Sequence, residues 1–323
     1  MNQASPNKNI LVTGGTGSIG KPLTDALLKR GYTVSHLSRK PGNDSRVNTF
    51  LWDVHKNEID EKCIDNVDIL IHLAGAGIAD KRWTGERKKE LIDSRTESIR
   101  LIYDLMRKKT NKIHTVISAA AIGYYGDRGD DLMTEESAPG RGFMPECCVA
   151  WENAVDEGNN LGIRIVKYRT GVVLDRAGGA LPQMARPVKL FAGAAFGSGK
   201  QWVPWIHWQD AVDTYLFAIE NEKIQGVFNM AAPNPVTNAQ LRRRNRLVLQ
   251  TLEIGRRPGF TRQAAFPAGG PRLDACSGHA ARPQKTARLL CRRAVMAASG
   301  LMGASNPASR SMRRLTDPAA DRS

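Results

Sequence analysis

Nowhere does this 323-residue sequence reach the roughly 18 uninterrupted apolar residues of a membrane span. The first ten residues, MNQASPNKNI, contain no apolar h-region, so no secretory leader is expected and the cytoplasm is the expected compartment. Cysteine is scarce. Cys63, Cys147, Cys148, Cys276 and Cys291 are odd in number and none forms a CxxC pair, which argues against a disulfide framework and a thiolate zinc site. No metal is expected. The adjacent Cys147 and Cys148 read as two reduced thiols on a helix rather than as a vicinal disulfide.

Acidic residues are missing from one region in particular. The chain carries a formal net charge of +15 with a pI near 9.8, yet residues 1–238 are almost balanced, with 30 Lys+Arg against 28 Asp+Glu, while residues 239–323 hold 17 against 4. Lysine also disappears there. Before position 239 there are 16 Lys and 14 Arg; after it Lys285 stands alone against 16 Arg. The stretch RRPGFTRQAAFPAGGPRLDACSGHAARP has neither period 2 nor a sustained period of 3.6. Residues 239–323 therefore read as an atypical arginine-rich tail, either disordered, translated in a shifted frame, or fused from elsewhere. A nucleic-acid-binding arm is the weaker reading, because only Phe260 and Phe266 interleave its cations. Such an arm would show steeply salt-dependent affinity, lost on deleting residues 239–323.

What remains, with 41% hydrophobic and 24% charged residues overall and a mean hydropathy of −0.38, is ordinary globular material. It opens with Ile10-Leu11-Val12, followed by Thr13-Gly14-Gly15-Thr16-Gly17-Ser18-Ile19-Gly20 and then Pro22-Leu23-Thr24-Asp25-Ala26-Leu27-Leu28-Lys29-Arg30-Gly31. This is strand, glycine turn, helix and closing glycine. A pyrophosphate sits against backbone N–H groups at a helix N-terminus, and residues without Cβ let it approach. Gly14, Gly15, Thr16, Gly17, Ser18, Ile19 and Gly20 are thus candidate cofactor ligands. A second strand, Thr33–Ser38, ends at Ser38-Arg39-Lys40. An acid there would grip the ribose hydroxyls of NAD; cations favour the 2′-phosphate of NADP instead. Ser38 and Arg39 join the list, as does Asp53 at the end of Phe50-Leu51-Trp52, either against adenine or as a plain turn residue.

Val67–Gly77 reads as a buried strand bringing the small residues Leu73-Ala74-Gly75 to the sheet edge. A helix around Glu86–Arg107, strands Thr115–Ala121 and Arg164–Arg169, and a returning strand Gly226–Met230 complete the pattern. Strands alternating with helices predict an α/β fold, a Rossmann-like doubly wound parallel sheet with ligands at the carboxyl ends of its strands. The boundaries are residues 8–238 for this nucleotide-binding domain with its substrate loops, with residues 181–238 forming a small, incomplete substrate region.

TGGTGSIG, HLAG, SAAAIGYYGDRG, RTGVVL and PWIHWQDAV together resemble the extended short-chain dehydrogenase/reductase superfamily. ADKRWT (Ala79–Thr84), Ser94-Arg95, IGYYGDRGD (Ile122–Asp130), CVAWE (Cys148–Glu152) and FGSGKQWVPWIH (Phe196–His207) resemble its atypical, sugar-nucleotide epimerase-like subgroup of the NAD(P)-dependent epimerase/dehydratase kind. The likeness covers residues 8–238 and stops at Thr237-Asn238, where the composition changes. It implies a nicotinamide cofactor, NADP before NAD, and hydride transfer. It also implies a catalytic Ser and a Tyr-x-x-x-Lys pair, in which lysine lowers the tyrosine pKa. No tyrosine here (32, 103, 124, 125, 168, 215) has Lys four residues on.

Other groups are candidates in its place. Ser118 survives, although the usual serine falls nearer Ala120. Tyr124 or Tyr125 can act as general acid, and Cys148 and Glu152 lie one helical turn apart on one face. Arg169, Lys200 and His207 are candidate substrate ligands. Each competes with a blander role: Tyr124 and Tyr125 as packing aromatics, Cys148 as core, Glu152 on a solvated face, His207 as a satisfied structural histidine. The resulting expectation is an NADP-binding oxidoreductase or epimerase-like protein acting on a carbonyl or nucleotide-sugar-like substrate. The alternative is a non-catalytic dinucleotide-binding regulatory or scaffold protein. The expected partner is a small molecule, with neither membrane nor nucleic acid; a homo-oligomer stays open. Resequencing the gene across codons 230–250 tests the shifted-frame reading of the tail, and an intact frame supported by transcripts overturns it.

Overall fold

A computed structural model of the chain describes residues 8–175, 199–241 and 243. Its centre is a parallel sheet built from β1 (Asn9–Thr13), β2 (Thr33–Ser38), β3 (Asn48–Asp53), β5 (Ile69–His72), β6 (Thr115–Ala121), β7 (Arg164–Thr170) and β11 (Gly226–Met230), with β4 (Glu58–Ile59) antiparallel at the edge beside β3. Across the sheet the order is β11-β7-β6-β5-β1-β2-β3-β4. The chain thus leaves β1 toward β2 on one side and returns to β5 on the other, and the crevice between these two departures is where doubly wound folds bind ligands.

The central strands are apolar on both faces because both are covered. Ile10, Leu11 and Val12 in β1 and Ile69, Leu70 and Ile71 in β5 are all fully enclosed. Helix α1 (Gly20–Lys29) packs against α4 (Trp208–Glu220), and α2 (Gly85–Lys108) against α3 (Phe143–Asp156). Strand alternation sorts β7 between the two pairs. Ile165 joins the core beneath α2 and α3, and Lys167 and Arg169 pair with acids on α3, whereas Tyr168 stacks on Tyr215 of α4 and donates its hydroxyl to the Thr214 carbonyl. Helix α1 presents Leu23 and Leu27 inward and closes on Gly31 at φ +81°. Helix α2 opens on Thr84, whose hydroxyl accepts the Arg87 N–H at 3.2 Å, and ends on Arg107 and Lys108, which complement its dipole.

The strands and helices expected from sequence are present with shifted ends. The third strand runs from Asn48 to Asp53, the fourth parallel strand shrinks to Ile69–His72, and the long helix is Gly85–Lys108. Beyond β7, β8 (Val172–Leu174) pairs with β10 (Trp205–His207) and β9 (Trp202–Val203) with β12 (Val236–Thr237). Segments of two or three residues carry no readable period. Residues 181–198 of the expected substrate region and nearly all of the tail lie outside the described residues. Among those described, no helix is long and apolar enough to cross a membrane, no three His, Cys, Asp or Glu are grouped to hold a metal, and Cys63, Cys147 and Cys148 are free thiols.

One buried polar cluster ties the sheet to α2. His72 is fully enclosed; its Nε2 lies 2.8 Å from Ser98 Oγ and its Nδ1 3.1 Å from Ser118 Oγ. Burial, with help from the Arg95 charge, pulls the imidazole down to about 3. The folded chain therefore holds His72 neutral while the unfolded chain protonates it below about 6.5. Stability from this site is complete above that value and is lost as pH falls toward 3. Between pH 7 and pH 5 the wild type should lose about 2 kcal/mol more than a His72→Gln variant in urea unfolding; parallel losses would overturn the assignment.

Candidate functional site

The glycine turn after β1 is shaped by close approach. Gly14 sits at φ +67°, and a Cβ there would lie 2.9 Å from the carbonyl carbon and oxygen of Leu73; one on Gly20 would lie 2.2 Å from the Gly14 carbonyl. These two glycines let loop, helix and β5 exit pack together. Gly17 differs, since its Cβ would meet only the Gly14 carbonyl at 3.2 Å, and Thr16, Gly17 and Ser18 are exposed. The N-cap of α1 is Ile19, with no side-chain hydrogen bond; the Lys21 N–H is held by the Gly17 carbonyl at 3.0 Å and Pro22 has none, which leaves the Gly20 N–H without a hydrogen bond among the described residues. An open glycine beside an uncapped helix start fits a bound phosphate group.

Thr13 fixes the opposite wall. Its hydroxyl accepts the N–H groups of Leu73 and Ala74, both at 3.1 Å. The following loop is gripped by α2: Ser94 Oγ accepts the Ala76 N–H at 3.0 Å, Arg95 donates to the Ala76 carbonyl at 3.0 Å, and Arg87 donates to the Gly77 carbonyl. Trp83 closes it by donating to the Ile78 carbonyl at 2.9 Å and packing edge-on against Phe143 of α3. The motif residues Trp83, Ser94 and Arg95 are thus the brace of this wall. At the far end of the crevice, Ser38 Oγ accepts the Lys40 N–H at 3.3 Å. Arg39 is exposed and has no ion pair among the described residues. Asp53 turns its Oδ1 back onto the N–H groups of His55 and Lys56, at 3.0 and 3.3 Å, the geometry of a turn aspartate.

The candidates at the other end of the sheet separate into open and enclosed groups. Arg169 is buried and grips Glu152 with two bonds, Nε to Oε1 at 2.8 Å and Nη2 to Oε2 at 3.0 Å. Its remaining Nη1 donates to the Tyr125 hydroxyl at 3.0 Å, which donates in turn to Asn229 Oδ1 at 2.6 Å. Lys167 extends the cluster to Asp156 at 2.6 Å and Glu152 at 3.8 Å. Arg169, a candidate substrate ligand, and Glu152, a candidate catalytic residue, thus satisfy each other in the interior, where an unpaired charge is costly. Burial pushes the Tyr125 phenol up to about 12. It likewise pushes the thiol of Cys148 far above its usual range, and that side chain packs beside Gly123. Ser118, bonded to His72, is fully buried as well.

Tyr124 is the exception. It is half-buried, the Arg169 guanidinium carbon lies 3.4 Å from its ring centroid, Tyr125 meets it edge-on at 5.4 Å, and its hydroxyl has no hydrogen bond among the described residues. His207 is exposed and caps α4, its Nδ1 accepting the Gln209 N–H at 3.2 Å; Lys200 is exposed. Sequence reasoning missed Lys167, Asp156 and Asn229. Period 2 along β7 signals the first: Lys167 and Arg169 share a face, and Glu152 and Asp156, four apart on α3, supply the matching acids.

The sheet order and the glycine turn at its switch point define a Rossmann-like protein of the extended short-chain dehydrogenase/reductase type. Residues 10–231 match the NAD dependent epimerase/dehydratase family, and the chain belongs to it. It is 36% identical over 235 residues to the epimerase family protein Mb2239 of Mycobacterium bovis, covering 72% of this chain and 76% of that one. Among solved structures it resembles a nucleoside-diphosphate sugar epimerase from Corynebacterium glutamicum (TM-score 0.70, 32% identity), covering 89% of this chain but only 55% of that longer one. It also resembles the human epimerase family protein SDR39U1 with NADPH (TM-score 0.70, 27% identity, 87% of this chain and 92% of that one).

The Arg169–Glu152 pair should behave as a unit. Glu152→Ala should cost about 3–5 kcal/mol in urea unfolding by stranding a buried guanidinium, while Glu152→Leu combined with Arg169→Met should recover most of that loss. Simple additivity of the single losses would show the pair to be unimportant.

Proposed function

We propose that this chain is an NADP-dependent oxidoreductase or epimerase acting on a carbonyl or nucleotide-sugar-like substrate. The observation that carries the cofactor choice is Arg39, an exposed guanidinium at the end of β2 without an ion pair among the described residues, in a Ser38-Arg39-Lys40 stretch that holds no acid. A guanidinium there binds a 2′-phosphate by charge-assisted hydrogen bonds. Similarity to the human protein with NADPH supports the same choice. The open face of Gly17 and the uncapped start of α1 would receive the pyrophosphate, and Leu73, Ala74 and Gly75 would flank the ribose on the nicotinamide side. When bound, the nicotinamide ring supplies the site that gives or takes a hydride.

Proton transfer is assigned to Tyr124, whose hydroxyl has no hydrogen bond among the described residues and which follows the carboxyl end of β6, where it can exchange a proton with a substrate oxygen. Arg169 holds the ring in place from one face and Tyr125 from its edge. Lys200 and His207 are proposed to meet the substrate from the segment before α4. The second reading, a dinucleotide-binding protein without turnover, is favoured by one fact: α3 carries the enclosed Cys148 and Glu152 and no Tyr-x-x-x-Lys pair. Oxidation of reduced cofactor with a panel of carbonyl and nucleotide-sugar substrates separates the two, since binding without turnover supports the second.

Titration with NADPH and NADH, read by nicotinamide fluorescence and melting temperature together, tests the cofactor. NADPH should bind more tightly, and Arg39→Ala should weaken NADPH by about tenfold or more while leaving NADH unchanged. Gly17→Val should abolish binding of both with the fold intact. Equal affinities in wild type and Arg39→Ala would overturn the NADP assignment, and binding by Gly17→Val would overturn the loop assignment.

A further inference from the structure

A histidine that neither the motif nor the proposed chemistry uses lies directly beneath the nucleotide loop. His36 projects from β2, where it pairs in register with Val12 of β1. Its ring is so close to the loop that a Cβ on Gly15 would lie 2.4 Å from His36 Nε2. That same nitrogen is 2.9 Å from Thr24 Oγ1, and Thr24 donates its hydroxyl proton to the Gly20 carbonyl at 2.8 Å. With the Thr24 proton engaged, its oxygen accepts from the Nε2–H of His36, which fixes the tautomer. Three elements meet in this relay: β2, the first turn of α1, and the loop between β1 and α1.

We infer that His36, acting through Thr24, is a positioning residue for dinucleotide binding: it holds the Gly15–Gly20 turn in its phosphate-receiving shape and locks that turn to the strand carrying Ser38 and Arg39. The inference rests on the nucleotide-binding reading above. Three features carry it beyond ordinary packing. The ring occupies the space that a Cβ at position 15 would need, so the turn closes over His36 in this shape only with glycine there. The hydrogen bonds run in one direction from β2 to the Gly20 carbonyl, at the first residue of α1. Finally, His36 lies two residues before Ser38 on the same strand, so a shift in the relay moves the two ends of the crevice relative to each other. A cofactor that spans both ends binds well only when their separation is preset.

The test is a double-mutant cycle on the full chain, with NADPH as the probe. His36→Leu and Thr24→Val should each weaken NADPH by about tenfold, the worth of one buried neutral hydrogen bond, and the double variant should lose no more than either single. Thr24→Ser, which keeps the hydroxyl, and His36→Gln, which keeps an N–H donor, should stay within about threefold of wild type. Amide hydrogen exchange of free protein supplies a readout that needs no ligand. Residues 16–20 should exchange faster in His36→Leu and Thr24→Val, with the core of β5 and β6 unchanged. Unaltered affinity, additive losses, or losses that simply follow melting temperature would overturn the inference. Failure of the wild type itself to bind NADPH or NADH would overturn the nucleotide reading, whereas tight wild-type binding with an indifferent relay would overturn this inference alone.

Discussion

The close contact between Gly14 and the Leu73 carbonyl sets the geometry from which the rest of the crevice follows. β1 and β5 are neighbours, and the chain leaves them in opposite directions, so their exits must pass within van der Waals distance. Any Cβ at position 14 would separate them. Thr13 completes the junction with one hydroxyl oxygen that accepts two successive N–H groups from the β5 exit. Once this junction is fixed, the glycine turn can only rise over β2, where His36 fills the space beneath it, and the loop after Gly75 can only pass below α2, where Ser94 and Arg95 take hold of Ala76.

The nucleotide half of this arrangement was legible in the residues because its constraints are local. A turn that needs positive φ or backbone contact demands glycine, a strand buried on both faces demands an apolar run, and both signals fall within a few positions of each other. Residues 9–38 accordingly read as strand, turn, helix and strand with ends nearly in place. The other half was not legible, because its constraints are between segments distant in sequence. Arg169 and Glu152 are 17 residues apart, and Tyr125 and Asn229 are separated by 104. Nothing local distinguishes a buried arginine from one awaiting a substrate. Cys148 and Glu152 were correctly placed on one helix face, but the direction of that face depends on how α3 lies on β6 and β7.

Electrostatics account for why the inward face of α3 looks as it does. A superfamily member of the usual kind carries a lysine there, and a lysine needs nearby anions or phenolate to be tolerated in the interior. Here the polarity is exchanged. The helix contributes acids, Glu152 and Asp156, and the sheet contributes the cations, Arg169 and Lys167. The positive charge of this cluster lies on the strand and not on the helix. A tyrosine on α3 would now face Glu152, whose negative charge opposes phenolate formation. A tyrosine in the turn after β6 faces Arg169 instead, which lies flat against Tyr124 at 3.4 Å.

That arrangement also limits what the cluster can do. Arg169 makes two bonds to Glu152, one to Tyr125 and one to the Glu135 carbonyl, so four of its five N–H groups are committed and one, on Nη2, is left. Its field is largely cancelled at a distance by Glu152, which it grips directly. Among the candidate substrate ligands, Lys200 and His207 are exposed while Arg169 is enclosed. In the function proposed above, the turn after β6 would carry the proton and the stretch before α4 would recognise the substrate. Substitution in one can alter turnover while leaving the affinity set by the other intact.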